Sequence, residues 1–250
     1  MASYGSWPSI FKHGLLSTES LLDLFEVGEP RRTELLATQR RESVEITHPK
    51  HGKAVIRDQK PLSAKNLARC LDGCTAEEWY RALNERVFFW LDRERLYTLM
   101  FAAEYVGKKH TILRVDSAPL IRRYEARIEL AHMNTGNTRP FPHPRSPATF
   151  RSMNAYPYAD RKRLRDYSAV VELTVLRGVP DLNEFVIDAE HASISNTNYE
   201  AAERLFERAS SLPNTTNQSR RHDIFPIARL ETQHDLGRIP PVPHRSRIAR

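Results

Sequence analysis

The residue in this sequence whose type and setting best suit chemistry is Glu172. It is the only charged residue in the run from Ser168 to Leu176, whose other members are mostly apolar. Side chains alternate across a strand, so Glu172 shares a face with Val170 and Thr174, and the opposite face is apolar throughout. A carboxylate so placed either reaches water or lies in a cleft where a partner offsets its desolvation. The pattern alone leaves a surface glutamate and a catalytic carboxylate both open.

The elements around this strand predict an α+β protein. Helical spacing and caps predict helices over 6–14, 17–28, 75–83, 92–107 and about 198–210. Alternating or continuous apolar runs predict strands over 87–91, 110–115, 126–131, 168–176 and 185–189. Residues 31–60 are expected to be only partly ordered, and residues 138–167 to form a long irregular loop rich in proline and arginine.

Length and charge indicate one domain and an anionic partner. A chain of 250 residues has room for one core, which we assign to residues 1–211, with 212–250 as a disordered tail rich in proline and arginine. Net charge is +7 and arginine dominates the cations, which favours phosphate or carboxylate groups as partners. Seven arginines follow Pro213, although a basic tail is more often a solvated appendage than a specific binding site.

Neither a membrane segment nor a metal site is expected. The chain has no run of about 18 apolar residues, and its first residues lack the basic and apolar parts of a signal peptide, so we expect a cytoplasmic protein. Cys70 and Cys74 are the two cysteines, and no further cysteine or histidine pair stands at zinc spacing. We interpret them as reduced thiols.

Three segments resemble the DarT-type DNA ADP-ribosyltransferases. The first is Trp-Pro-Ser-Ile-Phe-Lys-His-Gly-Leu-Leu-Ser over 7–17, which is similar to the opening of that family. The second is Arg-Val-Phe-Phe-Trp-Leu-Asp-Arg over 86–93, and the third is Val-Glu-Leu-Thr-Val over 171–175 with Gly-Val-Pro at 178–180. In order and spacing the resemblance spans about residues 6–190. The chain looks closer still to an uncharacterised bacterial family with the same motifs.

The resemblance implies an ADP-ribosyltransferase-like split β-sheet core with N-terminal helices and a flexible basic C-terminal tail. It implies that Glu172 stabilises the oxocarbenium-like state formed when NAD loses nicotinamide, with a nucleic acid or a protein as acceptor. The implied NAD-binding residues are Arg86, Phe88, Trp90, Arg93, His13, Ser17 and Asn134. Phe88 and Trp90 would stack on nicotinamide, and Arg86 or Arg93 would hold the pyrophosphate. Whether a neutralising partner protein exists stays open.

Each of these residues also has an ordinary structural role. Phe88 and Trp90 share one strand face and suit a core, and Arg86 and Arg93 suit surface ion pairs. His13 suits the negative end of a helix, and Asn134 begins an Asn-Thr-Gly turn. The alternatives therefore remain core packing and ligand binding.

The resemblance breaks at the N-terminus. The strand that carries a His or Tyr ligand in that family would fall at or before Met1, and Tyr4 does not have the required spacing. Either the chain starts downstream of its true beginning, or the first-strand ligand is missing. Three functions follow as alternatives: an NAD-consuming transferase, a catalytically silent binder of nucleotides or nucleic acid, and an NAD-dependent RNA 2′-phosphotransferase-like enzyme.

Overall fold

The apolar run before Asp92 and the strand that holds Glu172 pair with each other in the computed structural model of the protein. The structure describes residues 1–91, 93–164, 169–194 and 204–208, with the backbone alone described for 93–94, 162–164, 194 and 204–208. The described residues contain both helices and strands, and the named strands pair antiparallel, so the protein is of the α+β class.

The described helices are α1 Trp7–His13, α2 Thr18–Leu24, α3 Arg31–Ala37, α4 Ala64–Ala68, α5 Ala76–Asn84, α6 Arg93–Met100, α7 Ser117–Tyr124 and α8 Tyr158–Leu164. The strands are β1 Ala2–Ser3, β2 Leu15–Leu16, β3 Val44–His48, β4 Gly52–Ile56, β5 Arg86–Trp90, β6 His110–Val115, β7 Ile128–Ala131, β8 Arg151–Ser152, β9 Glu172–Leu176, β10 Gly178–Val179, β11 Val186–Ile194 and β12 Arg204–Arg208.

Two four-stranded sheets carry most of the described strands. One has the order β5-β9-β7-β8 and the other the order β1-β6-β11-β12, and every pairing in them is antiparallel. The largest apolar cluster includes Val87, Leu130, Leu173 and Val175 of the first sheet and Val115 and Ala189 of the second. The pairs β2–β10 and β3–β4 form two further small sheets.

Two glycines set the path of the chain next to the Glu172 strand. Gly178 follows β9 with a φ of 96°, and a Cβ there would lie 2.4 Å from the Leu15 carbonyl oxygen. Gly14 has a φ of 80°, and a Cβ there would lie 2.3 Å from the Cα of Pro180. Because only glycine fits such contacts in the left-handed region, β2 and β10 can pair closely.

Several predicted elements are confirmed. Thr75 and Glu78 form the predicted capping box at the start of α5, with 3.2 Å from the Glu78 N–H to the Thr75 hydroxyl and 2.7 Å from the Thr75 N–H to the Glu78 carboxylate. The first two predicted helices and the strands at 87–91, 110–115 and 126–131 are present, with shifts of a few residues at their ends. The predicted strand at 185–189 extends to Ile194 as β11.

The prediction for residues 31–60 was wrong, because this segment contains α3 and the β3–β4 hairpin. Leu35, Leu36 and Ile46 pack around Phe25 in a separate apolar cluster. Buried Arg40 then donates hydrogen bonds to the carbonyl of Leu35 in α3 at 2.6 Å and to that of Arg57, directly after the hairpin, at 3.1 Å. Its burial lowers the Arg40 pKa to about 10. These contacts join residues distant in sequence, so a local pattern cannot reveal them.

Other expectations also need correction. The helix predicted to run to Gly107 ends at Met100, and α7 was not predicted although Asp116 caps it through the Ala118 N–H. Residues 138–167 contain β8, α8 and two short 3-10 turns instead of a wholly irregular loop. The helix predicted near 198–210 is contradicted at 204–208, where β12 pairs with β11, and its other residues lie outside the described part. The tail at 212–250 also lies outside it.

The strand predicted at 168–176 starts at Glu172, and Ser168 lies outside the described residues. At the N-terminus, Ala2 and Ser3 pair with Thr111 and His110 as a two-residue strand. None of the described helices is long and apolar enough to cross a membrane.

His110 makes the stability of this fold pH-dependent. Burial, followed by the charge of Arg57, lowers the pKa of His110 from 6.5 to about 4. Between pH 4 and 6.5 the unfolded chain therefore binds more protons at this position, so the contribution of His110 to stability falls as the pH falls. We expect His110→Gln to remove up to about 3 kcal/mol of this acid sensitivity. Urea unfolding of both proteins at pH 4.5 and 7.5 measures it, and an equal pH slope in both would contradict it.

Candidate active site around Glu172

Glu172 occupies the first position of β9, the strand between β5 and β7. Trp90 pairs with it from β5 and Ala131 pairs with it from β7, so all three side chains are on one face of the sheet. The Glu172 side chain is buried, with 3% of the residue exposed. Of the two outcomes expected from the sequence, the surface glutamate is therefore excluded.

Thr135 holds the buried carboxylate. Its hydroxyl donates to Oε2 of Glu172 at 2.7 Å, and its backbone N–H donates to the same oxygen at 3.2 Å. Thr135 is itself fully buried within the Asn-Thr-Gly turn after β7. The turn thus fixes the orientation of Glu172 through two donors from one residue.

Burial raises the pKa of Glu172 to about 7, against the opposing effects of the Thr135 hydrogen bonds and the charges of Arg145 and Arg95. A carboxyl group with a pKa near 7 can change its protonation state around neutral pH. Perturbed carboxyl groups of this kind concentrate at functional sites, because a group poised near pH 7 can exchange a proton or change charge.

Thr135 gives a direct test of this electrostatic arrangement. Thr135→Val removes a hydrogen bond that stabilises the charged form, so we expect the pKa of Glu172 to rise above about 7. Thr174→Val is the matched control, since the Thr174 hydroxyl donates to the Glu129 carbonyl oxygen at 2.9 Å and not to Glu172. A carbon-13 NMR titration of the glutamate carboxyl groups measures both variants. An unchanged Glu172 pKa in Thr135→Val would show that this hydrogen bond does not control it.

Arg145 is a buried arginine whose positive charge lowers the pKa of the Glu172 carboxyl group. It is 1% exposed, and its Nη1 donates to the His143 carbonyl oxygen at 2.6 Å. Its Nη2 donates to the carbonyl oxygens of Asn134 and Asn137. The same turn therefore contacts both the guanidinium and the Glu172 carboxylate.

Three predicted NAD-binding residues lie on the face of Glu172. Arg86, Phe88 and Trp90 alternate along β5 and pair with Leu176, Thr174 and Glu172. The guanidinium of Arg86 is occupied, since its Nε and Nη2 donate to one Glu129 oxygen at 2.8 and 2.6 Å. Phe88 is 36% exposed, and Trp90 is half-buried. The two aromatic rings are therefore the members of this group that remain accessible.

The other predicted residues are not gathered around Glu172 by the described contacts. His13 ends α1 and lies edge-on to the His51 ring, with 5.1 Å between ring centroids. Ser17 is buried and caps α2 by accepting from the Ser20 N–H at 3.1 Å. Asn134 contributes a backbone carbonyl to Arg145. Arg93 opens α6, and its side chain lies outside the described residues.

Two cavities lie close to the Glu172 strand. An apolar cavity of about 510 Å³ lies between β5 and β6, with Phe88, Trp90, Leu96 and Ile112 in its walls. A second cavity, of about 580 Å³, has His132 and Ala169 in its walls. Three of its four charged wall residues are arginines, so we call it the cationic cavity. Among residues with described side chains, no three His, Cys, Asp or Glu residues are arranged to hold a metal ion.

Residues 1–186 match the model of a family described as a family of unknown function, DUF7002. The chain belongs to this family. No curated protein and no solved structure matches it significantly. The DUF7002 match extends from β1 to the start of β11, so Glu172, Trp90 and Arg145 all lie within the part that defines the family.

Two residues of this candidate site, Thr135 and Arg145, were not predicted from the sequence of this DUF7002 member. The Asn-Thr-Gly motif was recognised as a turn, but only its asparagine was considered as a ligand contact. Arg145 lay in a segment expected to be irregular, where a buried arginine is not anticipated. The position of Thr135 directly after a predicted strand was the one sequence feature that could have indicated its role. No feature of the sequence indicated Arg145.

Proposed function

We propose that this protein transfers ADP-ribose from NAD to a nucleic-acid or protein acceptor, with Glu172 as the residue that stabilises the transition state. The observation that carries the proposal is the buried Glu172 carboxylate, whose pKa is raised to about 7 and which pairs across the strand with Trp90. A buried carboxylate acts strongly on a cation that forms beside it, because little water screens the interaction.

The proposed reaction breaks the bond between the ribose C1′ and the nicotinamide nitrogen. The bonding electron pair leaves with nicotinamide, which becomes neutral, and the ribose passes through an oxocarbenium-like state. The acceptor oxygen or nitrogen then bonds to C1′ and loses a proton. Glu172 in its charged form would stabilise the positive ribose, and the same group can receive the acceptor proton, since its pKa is close to neutral pH.

The apolar cavity is the proposed place for nicotinamide. Trp90 lies in its wall and is also the cross-strand partner of Glu172, whereas β9 contributes Leu173 to the wall and Glu172 itself lines neither cavity. Phe88 adds a second, partly exposed aromatic ring in the same wall. Since Arg86 is committed to Glu129, we do not assign it to the pyrophosphate.

The arrangement of the two large sheets supports the proposal that the fold is ADP-ribosyltransferase-like. An ADP-ribosyltransferase-like core implies two sheets separated by a cleft. Here β5 belongs to one sheet and β6 to the other, and the apolar cavity lies between them.

Release of nicotinamide is the test of this function. The full chain is incubated with NAD, first alone and then with single-stranded DNA, RNA or a mixture of cell proteins, and free nicotinamide is measured by chromatography. We expect release to increase with one acceptor class, which then becomes labelled. Failure to release nicotinamide under all four conditions would reject the proposal.

The cationic cavity favours a second candidate function, the binding of a nucleotide or nucleic acid without catalysis. An RNA 2′-phosphotransferase-like activity would require several basic side chains around one phosphate, and three arginines in one cavity suit that requirement as well. Simple binding predicts an affinity that falls with salt and survives Glu172→Gln. The phosphotransferase activity predicts NAD-dependent loss of phosphate from a 2′-phosphorylated RNA.

A further inference from the structure

The cationic cavity has a composition that suits an anionic ligand. Its charged and titratable lining residues are three arginines, two histidines and one carboxylate: Arg145, Arg151, Arg161, His132, His143 and Asp72. Its volume of about 580 Å³ lies within the range of roughly 300–1,000 Å³ that is usual for small-molecule sites. A ligand larger than a single phosphate ion therefore fits.

Arg145 supplies a buried positive charge that the described residues do not neutralise. Its two terminal nitrogens donate to backbone carbonyls and to the Cys70 thiol, all of which are uncharged. Its Nε is buried and has no hydrogen-bond partner. Burying a cation costs several kcal/mol unless an anion offsets it. Glu172 offsets it only in part, since its own pKa is raised to about 7.

Arg151 and Arg161 extend this positive region towards solvent. Arg151 is exposed and donates through Nε to the Ala148 carbonyl oxygen at 3.0 Å, and Arg161 is half-buried in α8. Within the described part of the chain, no carboxylate is within 4.0 Å of either guanidinium. By contrast, Arg114 and Arg123 are ion-paired to carboxylates, at 3.3 Å to Asp188 and 2.8 Å to Asp181.

We infer that this cavity binds the pyrophosphate group of a nucleotide. The planar guanidinium of arginine matches two phosphate oxygens at once, and a pyrophosphate carries enough charge to engage more than one arginine. The volume left beside the pyrophosphate accommodates a nucleoside. The inference rests on the second candidate function, nucleotide binding in this cavity, and names the group that is bound. It requires the arginines of the cavity and not the chemistry of Glu172.

Calorimetric titration of the full chain tests the site with three probes: ADP, inorganic pyrophosphate and adenosine. We expect ADP and pyrophosphate to bind and adenosine to show no measurable binding. Arg161→Gln and Arg151→Gln should each weaken ADP binding about tenfold, which corresponds to one charge-assisted contact. Arg69→Gln is the matched control, since Arg69 is exposed outside the cavity, and it should bind ADP as the unaltered protein does.

Circular dichroism of each variant checks that the fold is retained. An ADP affinity that is unchanged in both Arg151→Gln and Arg161→Gln, or no ADP binding at all, would overturn the inference. A single-stranded oligonucleotide that binds through both arginines while pyrophosphate does not would overturn the nucleotide assignment in favour of a nucleic-acid backbone. Glu172→Gln should still bind ADP. ADP binding can therefore be confirmed or rejected even if the protein does not transfer ADP-ribose.

Discussion

Replacing Glu172 with glutamine is expected to lower nicotinamide release from NAD by at least about 100-fold, because an uncharged amide cannot stabilise the developing positive charge of the ribose. Glutamine keeps the size of the side chain and an oxygen that can accept from Thr135. The loss should therefore appear in the chemical step while the fold remains intact. Equal nicotinamide release by the variant and the unaltered protein would reject the role of Glu172.

The same substitution is expected to stabilise the protein above pH 7. The folded-state pKa of Glu172, about 7, lies above the ordinary value of 4.5, so the folded protein holds more protons between these two pH values. Its stability contribution is complete below pH 4.5 and is lost as the pH rises through 7. At pH 8 we expect Glu172→Gln to be more stable by about 1–3 kcal/mol, and at pH 4.5 to show no gain.

Thermal unfolding at both pH values measures this change. Glu125→Gln is the matched control, since Glu125 is an exposed glutamate and the chemical change is the same. The control should be within about 0.5 kcal/mol of the unaltered protein at either pH. The stability difference between Glu172→Gln and the unaltered protein is compared at the two pH values. If this difference favours the variant less at pH 8 than at pH 4.5, the charged carboxylate is well compensated in the fold.

The second large effect is expected at Arg145. Arg145→Met keeps much of the apolar volume but removes donors from three backbone carbonyls, those of Asn134, Asn137 and His143. We expect a loss of about 1–3 kcal/mol in the free energy of unfolding, since three part-buried acceptors would lose their donor. Loss of the nearby positive charge should also raise the pKa of Glu172 further.

Urea unfolding monitored by tryptophan fluorescence measures this destabilisation. Arg151→Met is the control, because Arg151 belongs to the same part of the chain but is exposed, and it should change stability by less than about 0.5 kcal/mol. If the two variants were equally stable, Arg145 would not anchor the turn, and its burial would need another explanation.

The stability contributed by Arg145 and the function proposed for Glu172 depend on the same turn. Thr135 holds the carboxylate by two hydrogen bonds, and the adjoining carbonyls of Asn134 and Asn137 hold the guanidinium. A substitution in the turn therefore changes the hydrogen bonds of both the Glu172 carboxylate and the Arg145 guanidinium. For this reason Thr135→Val is compared with Thr174→Val, and the arginine substitutions in the cationic cavity are compared with Arg69→Gln, since neither control residue belongs to the turn.

The sequence by itself determined the elements with strong local patterns. The capping box of α5, the apolar strand β5 and the isolated glutamate of β9 follow from spacing and residue type, because these features depend on neighbours a few residues away. The same local information singled out Glu172, whereas Trp90 became a candidate through the resemblance to the DarT-type transferases. It also showed the Asn-Thr-Gly turn, without the role of its threonine.

Only the tertiary structure decided how these residues meet. The pairing of Trp90 with Glu172 depends on strand register, and the burial that raises the Glu172 pKa depends on elements far away in sequence. The order of residues 31–60 likewise comes from Arg40 and an apolar cluster that joins three separate segments. Desolvation and register are properties of packed neighbours, so no pattern within a single segment contains them.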